Sequence, residues 1–343
     1  MVDVTVRGAG IFGLSIAWVC TQRGARVTVI DPEGPGAGSS GGLVGALAPH
    51  VPENWNVKKA FQLRSLLRAP AFWGDVAAAG GRDPGYHRGG RLQPILSAHA
   101  LDLAKARADS AKDLWAGHAV WQVEPANATG WEPPSPTGWI IRDTLSAHLH
   151  PRLACAALVA ALEARGVQIC RDAEDQGRVV WATGVAGLAA LSEQHQRAVG
   201  TGVKGQAALL DHDASGAPQI FADGVHIIPH QDGTVAVGST SERDFDDPHT
   251  TDAQLDAVID KARAAVPALQ DAAVLDRWAG VRPRARSRAP MLGVWPDRPG
   301  HYIANGGFKI GFGMAPEVAE VMADLVLDGR DSIPEGFAIA TSL

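Results

Sequence analysis

Residues 2–31 read VDVTVRGAGIFGLSIAWVCTQRGARVTVID, and this stretch decides the fold. Val2 to Arg7 is a short β-branched run, Ile11 to Gln22 carries apolar residues at helical spacing, and Arg26 to Ile30 is a second β-branched run. Together they predict a β-α-β unit. Gly24 stands where a helix is expected to end, and Asp31-Pro32 stops the second strand. Between the first strand and the helix lies Gly8-Ala9-Gly10-Ile11-Phe12-Gly13, a G-x-G-x-x-G in the context that gives the motif meaning. Gly8 allows the tight turn, Gly10 lets the backbone approach a pyrophosphate, and Gly13 lets helix and strand pack closely. The helix N-terminus then presents N–H groups and positive potential to the phosphates. Asp31 is placed for a ribose 2′-hydroxyl, which argues against a 2′-phosphate and so against NADP. The motif predicts a dinucleotide site, with Ile11 and Phe12 among its contacts, and does not choose between FAD and NAD.

The chain has 343 residues, long enough for two domains or one elaborated α/β domain. Lys and Arg number 31 against 37 Asp and Glu, a net charge of −6, which disfavours a dedicated nucleic-acid binder or a basic membrane-surface protein. Cys20, Cys155 and Cys170 show no C-x-x-C spacing, so neither a disulfide framework nor a zinc-type cysteine site is indicated, and a reduced, cytoplasmic setting is expected. The apolar stretch Ile11 to Cys20 is too short to span a bilayer and reads as a buried helix. No membrane association is expected.

Further along, residues 33–48 (EGPGAGSSGGLVGALA) are rich in Gly and Ser, so their backbone can approach a ligand closely. Helices are predicted over 57–79, 100–115, 153–165, 252–265 and 316–327. Strands are predicted over 167–170, 178–181, 225–229, 234–238, about 275–281 and 302–304, and the proline-dense segment 125–136 reads as a connection. The order of elements predicts an α/β fold, α+β overall. A Rossmann-type nucleotide domain (1–86, 144–203 and 283–343) would carry an inserted mixed or antiparallel β-sheet substrate domain (87–143 and 204–282).

Several separated stretches carry a resemblance over nearly the whole length. They are Gly38-Ser39-Ser40-Gly41-Gly42-Leu43-Val44-Gly45, Gly89-Gly90-Arg91-Leu92, Val180-Trp181-Ala182-Thr183-Gly184 and Val225-His226-Ile227-Ile228-Pro229. Later come Trp278-Ala279-Gly280-Val281-Arg282-Pro283, Pro290-Met291-Leu292-Gly293 and Asn305-Gly306-Gly307-Phe308-Lys309-Ile310-Gly311-Phe312. In this order they resemble the D-amino-acid oxidase and glycine oxidase family of FAD enzymes. The resemblance implies non-covalent FAD, since no cysteine lies in the final glycine-rich loop where some relatives tether the flavin. It implies cofactor contacts at Ser39, Ser40, Gly42, Leu43 and Val44, at Thr183 and Gly184, and at Gly306, Gly307, Phe308, Lys309, Ile310 and Gly311. It also implies a small amine or amino-acid substrate whose carboxylate meets Arg282, with Lys309 at the position of a second basic residue.

A flavin accepts a hydride from the amine-bearing carbon, so the protein must orient that C–H and supply electrostatics rather than a nucleophile. Arg282 can clamp a carboxylate with two parallel hydrogen bonds. Where relatives carry a tyrosine this chain has His226, and His230 stands where they often carry a basic residue. His226 is therefore a third candidate for the substrate pocket, although a lone histidine on an apolar strand is more often structural. Two alternatives remain at this stage. The Gly-Ser-Ser-Gly loop and the run from Arg282 to Gly293 also resemble the FAD domain of the enzyme that oxidises a carboxymethylaminomethyl group on tRNA wobble uridines. The departures at His226 and His230 would also suit a non-catalytic flavin-binding protein.

Overall fold

The computed structural model describes residues 2–127 and 130–343. Residues 128 and 129, in the proline-rich connection, lie outside the described residues. In chain order the first strands are β1 (Val4–Arg7), β2 (Val27–Ile30), β3 (Gly45–Leu47), β4 (Arg91–Pro94), β5 (Trp121–Pro125), β6 (Trp139–Asp143), β7 (Ala147–Leu149) and β8 (Gln168–Cys170). Then follow β9 (Arg178–Trp181), β10 (Gly200–Asp211), β11 (Gln219–Ala222), β12 (Val225–Pro229), β13 (Thr234–Gly238), β14 (Val274–Ala285), β15 (Met291–Val294) and β16 (His301–Asn305). The helices are α1 (Ile11–Gln22), α2 (Val57–Gly80), α3 (Ala98–Leu114), α4 (Pro151–Ala164), α5 (Gly184–Gln194), α6 (Ala253–Ala265) and α7 (Gly311–Asp328).

One sheet runs β15-β16-β9-β1-β2-β8, with every pair parallel except β15 with β16. Its two central strands are apolar and buried, as a sheet covered on both faces requires. The chain leaves β1 for β2 on one side and later returns to β9 on the other, so the crevice beyond the carboxyl ends of β1 and β9 is a topological switch point. Gly8 lies there with φ +104°, and a Cβ on it would stand 2.3 Å from the carbonyl oxygen of Ala182, at the end of β9. Gly13 is equally constrained, because its Cβ would fall 1.8 Å from the Gly8 oxygen. α1 thus packs against β1 at a distance that no side chain permits.

The second sheet runs β14-β10-β13-β12-β11-β4-β6-β5, antiparallel except where β11 meets β4. Pro283 is accommodated in β14 because that strand is at the sheet edge, where a missing N–H breaks no ladder. α6 covers one face through Leu255, Val258, Ile259 and Ala262. On the other face Ala207, Ile228 and Ala236 enclose Leu43 from the Gly/Ser loop, so the two sheets meet at that loop. A small ladder, β3 with β7, lies beside the seam.

Most predicted elements are found within one to three residues of their expected ends, and two differences are informative. α7 begins at Gly311, five residues before the expected start at Pro316. Proline was expected at the first helical position, where its missing N–H costs nothing. Here it sits inside a buried helix packed on α2, and the next donor, Glu317 N, reaches Ser65 Oγ on α2 at 3.2 Å. The long strand β10, GTGVKGQAALLD, was not expected at all. Its three glycines and central lysine hide the alternation, and its pairing with β13 and β14 overrides the weak local signal. No helix among the described residues is long and apolar enough to cross a membrane.

Candidate functional site

The switch-point crevice gathers segments that are far apart in the chain. Gly10 precedes α1 with no side-chain cap, so the first-turn N–H groups are left to an external partner, apart from Ile11 N, which donates to Ser40 Oγ at 3.0 Å. A Cβ on Gly10 would meet only Ser40, its Oγ at 3.2 Å. This groove over a helix N-terminus, with Ser40 the one side chain close to Gly10, fits a pyrophosphate. Asp31 Oδ2 accepts from Ala9 N at 2.7 Å and Oδ1 from Glu33 N at 3.1 Å, and each oxygen keeps lone-pair capacity for a hydroxyl.

The remaining loops close around this cradle. Thr183 precedes α5, and Gly184 is its first residue rather than part of a free turn, with its carbonyl accepting from Asn305 Nδ2 at 2.8 Å. The Cβ position of Gly307 lies 2.9 Å from the Phe12 ring, so the 3-10 turn Phe308–Ile310 seats directly on the G-x-G-x-x-G segment. Gly311 was expected in this loop and instead opens α7. Gly42 faces the Trp278 ring, its Cβ position 3.1 Å away, and Val44 packs against Gly238. Ser39 and Ser40 lie in a short 3-10 turn over Gly10, and Gly306 takes φ +75° beside Ala285 of β14.

Arg282, Lys309 and His226 converge at one end of the second sheet. Arg282 projects from β14, and Nη1 donates to Ser239 Oγ at 2.7 Å while Nη2 donates to the carbonyls of Thr240 at 2.7 Å and Lys204 at 3.2 Å. Three of its five N–H groups are thereby used. Nε is buried and has no hydrogen-bond partner among the described residues. Burial pushes the guanidinium pKa down to about 10, partly offset by Glu242, so Arg282 remains a cation at neutral pH. Its Cζ stands 5.6 Å from the Phe308 ring centroid, and Arg284 approaches the same ring at 5.5 Å and the Lys309 ammonium at 5.8 Å. Desolvation, then the charges of Arg282 and Arg284, lower the Lys309 pKa. Burial, then Arg91 and Lys309, push His226 down to about 3. His226 is therefore neutral near pH 7, and its Nδ1 is buried without a partner. The end of the sheet is cationic, with polar atoms left unpaired around it.

Sequence reasoning did not single out Ser239, Thr240 or Gly205, which hold the Arg282 side chain. The Arg282 guanidinium lies over Gly205, whose Cβ would stand 2.3 Å from Nη2. A glycine diagonal to an arginine on paired strands, with Arg282 set against Val203 and Gly205 against Gly280, is the one available signal, and it needs the β10–β14 register to be read. His230 is not with this group. It is buried against His150, ring centroids 4.3 Å apart.

A dinucleotide cradle roofed by a second, mainly antiparallel sheet is the arrangement of a flavin-dependent oxidoreductase. Comparison with known proteins gives the family: residues 3–325 match DAO, FAD dependent oxidoreductase, and the chain belongs to it. It is an enzyme with FAD as cofactor. It is 26% identical over 361 residues to the bifunctional protein ThiO/ThiG of Nostoc sp., covering 96% of this chain but 53% of that protein, and so spans about half the length of that relative. It is 27% identical over 379 residues to a glycine oxidase of Pseudomonas putida, covering 97% of this chain and 98% of the relative. Among solved structures, iminodiacetate oxidase from Chelativorans sp. has the same fold, with a TM-score of 0.85, 21% identity and 98% of each chain covered.

Proposed function

We propose that this enzyme oxidises the C–N bond of a small amino acid or amine carrying a carboxylate, of glycine, D-amino-acid or N-methyl-amino-acid type. The carrying observation is Arg282, a largely desolvated cation fixed by three hydrogen bonds with Nε still unpaired, at the seam where the second sheet meets the cofactor cradle. A buried donor without a partner is costly, and a bound carboxylate relieves that cost. The eight-stranded sheet is, in this reading, the substrate domain. Lys309 adds positive charge on the same side, while neutral His226 contributes shape and a hydrogen bond rather than charge. Bound FAD supplies the hydride acceptor for the carbon that bears the amine. The chain's residues orient that carbon by holding the carboxylate, which is where their contribution to rate lies. The name glycine oxidase, borne by a full-length relative, is consistent with this substrate class.

The test is an anaerobic titration of the flavin absorbance with a panel of glycine, D-amino acids and N-methyl amino acids, repeated with Arg282→Ala. Bleaching by at least one of them is expected, with the half-saturating concentration raised roughly 30-fold or more in the variant, as loss of one partner of a buried charge pair costs about 2–5 kcal/mol. A flavin that stays oxidised with the whole panel removes this assignment.

A further inference from the structure

A second polar cluster lies apart from Arg282, Lys309 and His226. His150 is the residue before α4, and His230 follows β12. Their ring centroids lie 4.3 Å apart with the planes tilted by 34°, at 8% and 1% exposure. His150 Nδ1 and His230 Nε2 are both buried with no hydrogen-bond partner among the described residues. Two neighbouring imidazoles with orphaned nitrogens are a destabilising arrangement unless something else bonds to them.

The protonation of His230 is dictated by its neighbours. Thr234 Oγ1 donates its single proton to Asp232 Oδ1 at 2.7 Å, and Thr234 N reaches the same oxygen at 3.2 Å. Thr234 Oγ1 can then only accept from His230 Nδ1, 3.2 Å away. That places the ring proton on Nδ1 and leaves the Nε2 lone pair free. Such a hydrogen bond from the far ring nitrogen fixes the tautomer of metal-binding histidines. Asp232 Oδ2 makes no hydrogen bond among the described residues, and one ring nitrogen from each histidine and a carboxylate oxygen of Asp232 all lie within 4.8 Å of one another.

We infer that His150, His230 and Asp232 form a binding site for a divalent transition ion of the zinc class. Two imidazoles and one carboxylate suit zinc or cobalt and not calcium or magnesium, which take all-oxygen shells. Ligands around a tetrahedral ion at about 2.1 Å stand about 3.4 Å apart. Asp232 is exposed, in the turn between β12 and β13, and its Oδ2, which accepts no hydrogen bond among the described residues, is available to the ion. The ion ties that turn to the start of α4. At the second residue of α4, Arg152 Nε donates to the Gly41 carbonyl at 2.9 Å, so the site braces the Gly/Ser loop that covers the cofactor. Its role is structural.

The test uses the FAD-loaded enzyme, stripped with a chelator and titrated with Zn²⁺ by calorimetry, and with Co²⁺ by its visible absorption beyond the flavin bands. One ion per chain is expected, with a rise in the thermal midpoint. His230→Gln and Asp232→Asn should each weaken binding 100-fold or more. Thr234→Val, which removes the hydroxyl that bridges His230 and Asp232, should weaken it about 10- to 100-fold with the flavin spectrum unchanged. Asp232 is exposed, so its variant folds even where His230→Gln does not. Absence of a bound ion overturns the inference, and so does unchanged affinity in Asp232→Asn, which would place the ion on surface histidines instead.

Discussion

Arg282 Nη1 donates to Ser239 Oγ at 2.7 Å, so a side chain of the edge strand β14 is aimed by the residue that follows β13. Ser239 is the only side chain among the three acceptors, the others being backbone carbonyls that substitution cannot remove. Ser239→Ala should therefore loosen Arg282 without discharging it. A hydrogen bond to a charged group is worth about 1.5 kcal/mol or more, and KM for the carboxylate substrate should rise about tenfold with kcat changed far less. Steady-state kinetics on the variant check this. A fall in kcat at constant KM would show that Ser239 acts on the chemical step and not through Arg282.

Gly205 offers a second route to the same side chain. A Cβ there would stand 2.3 Å from Arg282 Nη2 and 2.4 Å from Cζ, so Gly205→Ala must push the guanidinium off its three acceptors. The displaced group is the end of a flexible side chain, and the loss of stability should stay near 1 kcal/mol. KM should rise more than in Ser239→Ala, because all three contacts go at once. Urea unfolding beside KM measurements separates the two effects, and a variant with unchanged KM would show that the seating of Arg282 does not govern substrate binding.

What was legible in the sequence follows from how local each signal is. Gly8, Gly10, Gly13 and Asp31 lie within one β-α-β unit, where strand and helix periods and the glycine spacing all speak at short range, and the structure places them together at the switch point. Arg282 was reached through its W-A-G-x-R-P context rather than through its surroundings. Its partners Ser239 and Gly205 come from other strands and meet it only once the register of β10 and β14 and the end of β13 are known. The same holds for His150, His230 and Asp232, which no spacing rule joins across so long a stretch of chain. α7 shows the opposite failure: Pro316 was read by its local rule as a helix start, and packing against α2 overrode the rule.

Ser40 links the cofactor loop to the helix end through its bond from Ile11 N at 3.0 Å. Ser40→Ala should release the loop from α1 and leave one more N–H for the phosphates, so the sign of its effect on FAD binding reports which matters more. The loop must be ordered over the cofactor for either to count, and ordering a free loop costs more than one N–H contributes. We expect FAD to bind about fivefold more weakly, read as flavin fluorescence on titrating apoprotein. Tighter binding would show that Ser40 competes with the pyrophosphate.

His226 makes the stability of the fold depend on pH in a direction that can be worked out. Its folded pKa is about 3 against an ordinary 6.5, with burial the first cause and the charges of Arg91 and Lys309 the next. The folded chain therefore refuses a proton that the unfolded chain accepts as soon as the pH drops below about 6.5. Stability from this residue is complete above that pH and falls as the pH is lowered toward 3. Between pH 7.5 and 5 the loss amounts to at most about 2 kcal/mol. His226→Phe removes the titration while keeping an aromatic ring against Phe221, 4.7 Å away in the native chain. Urea unfolding at pH 7.5 and pH 5 should show the native protein losing more stability than His226→Phe by about that amount. Equal losses in the two proteins would mean that the ring is protonated in the folded state, and the unpaired Nδ1 would then be a donor facing the pocket instead of an acceptor.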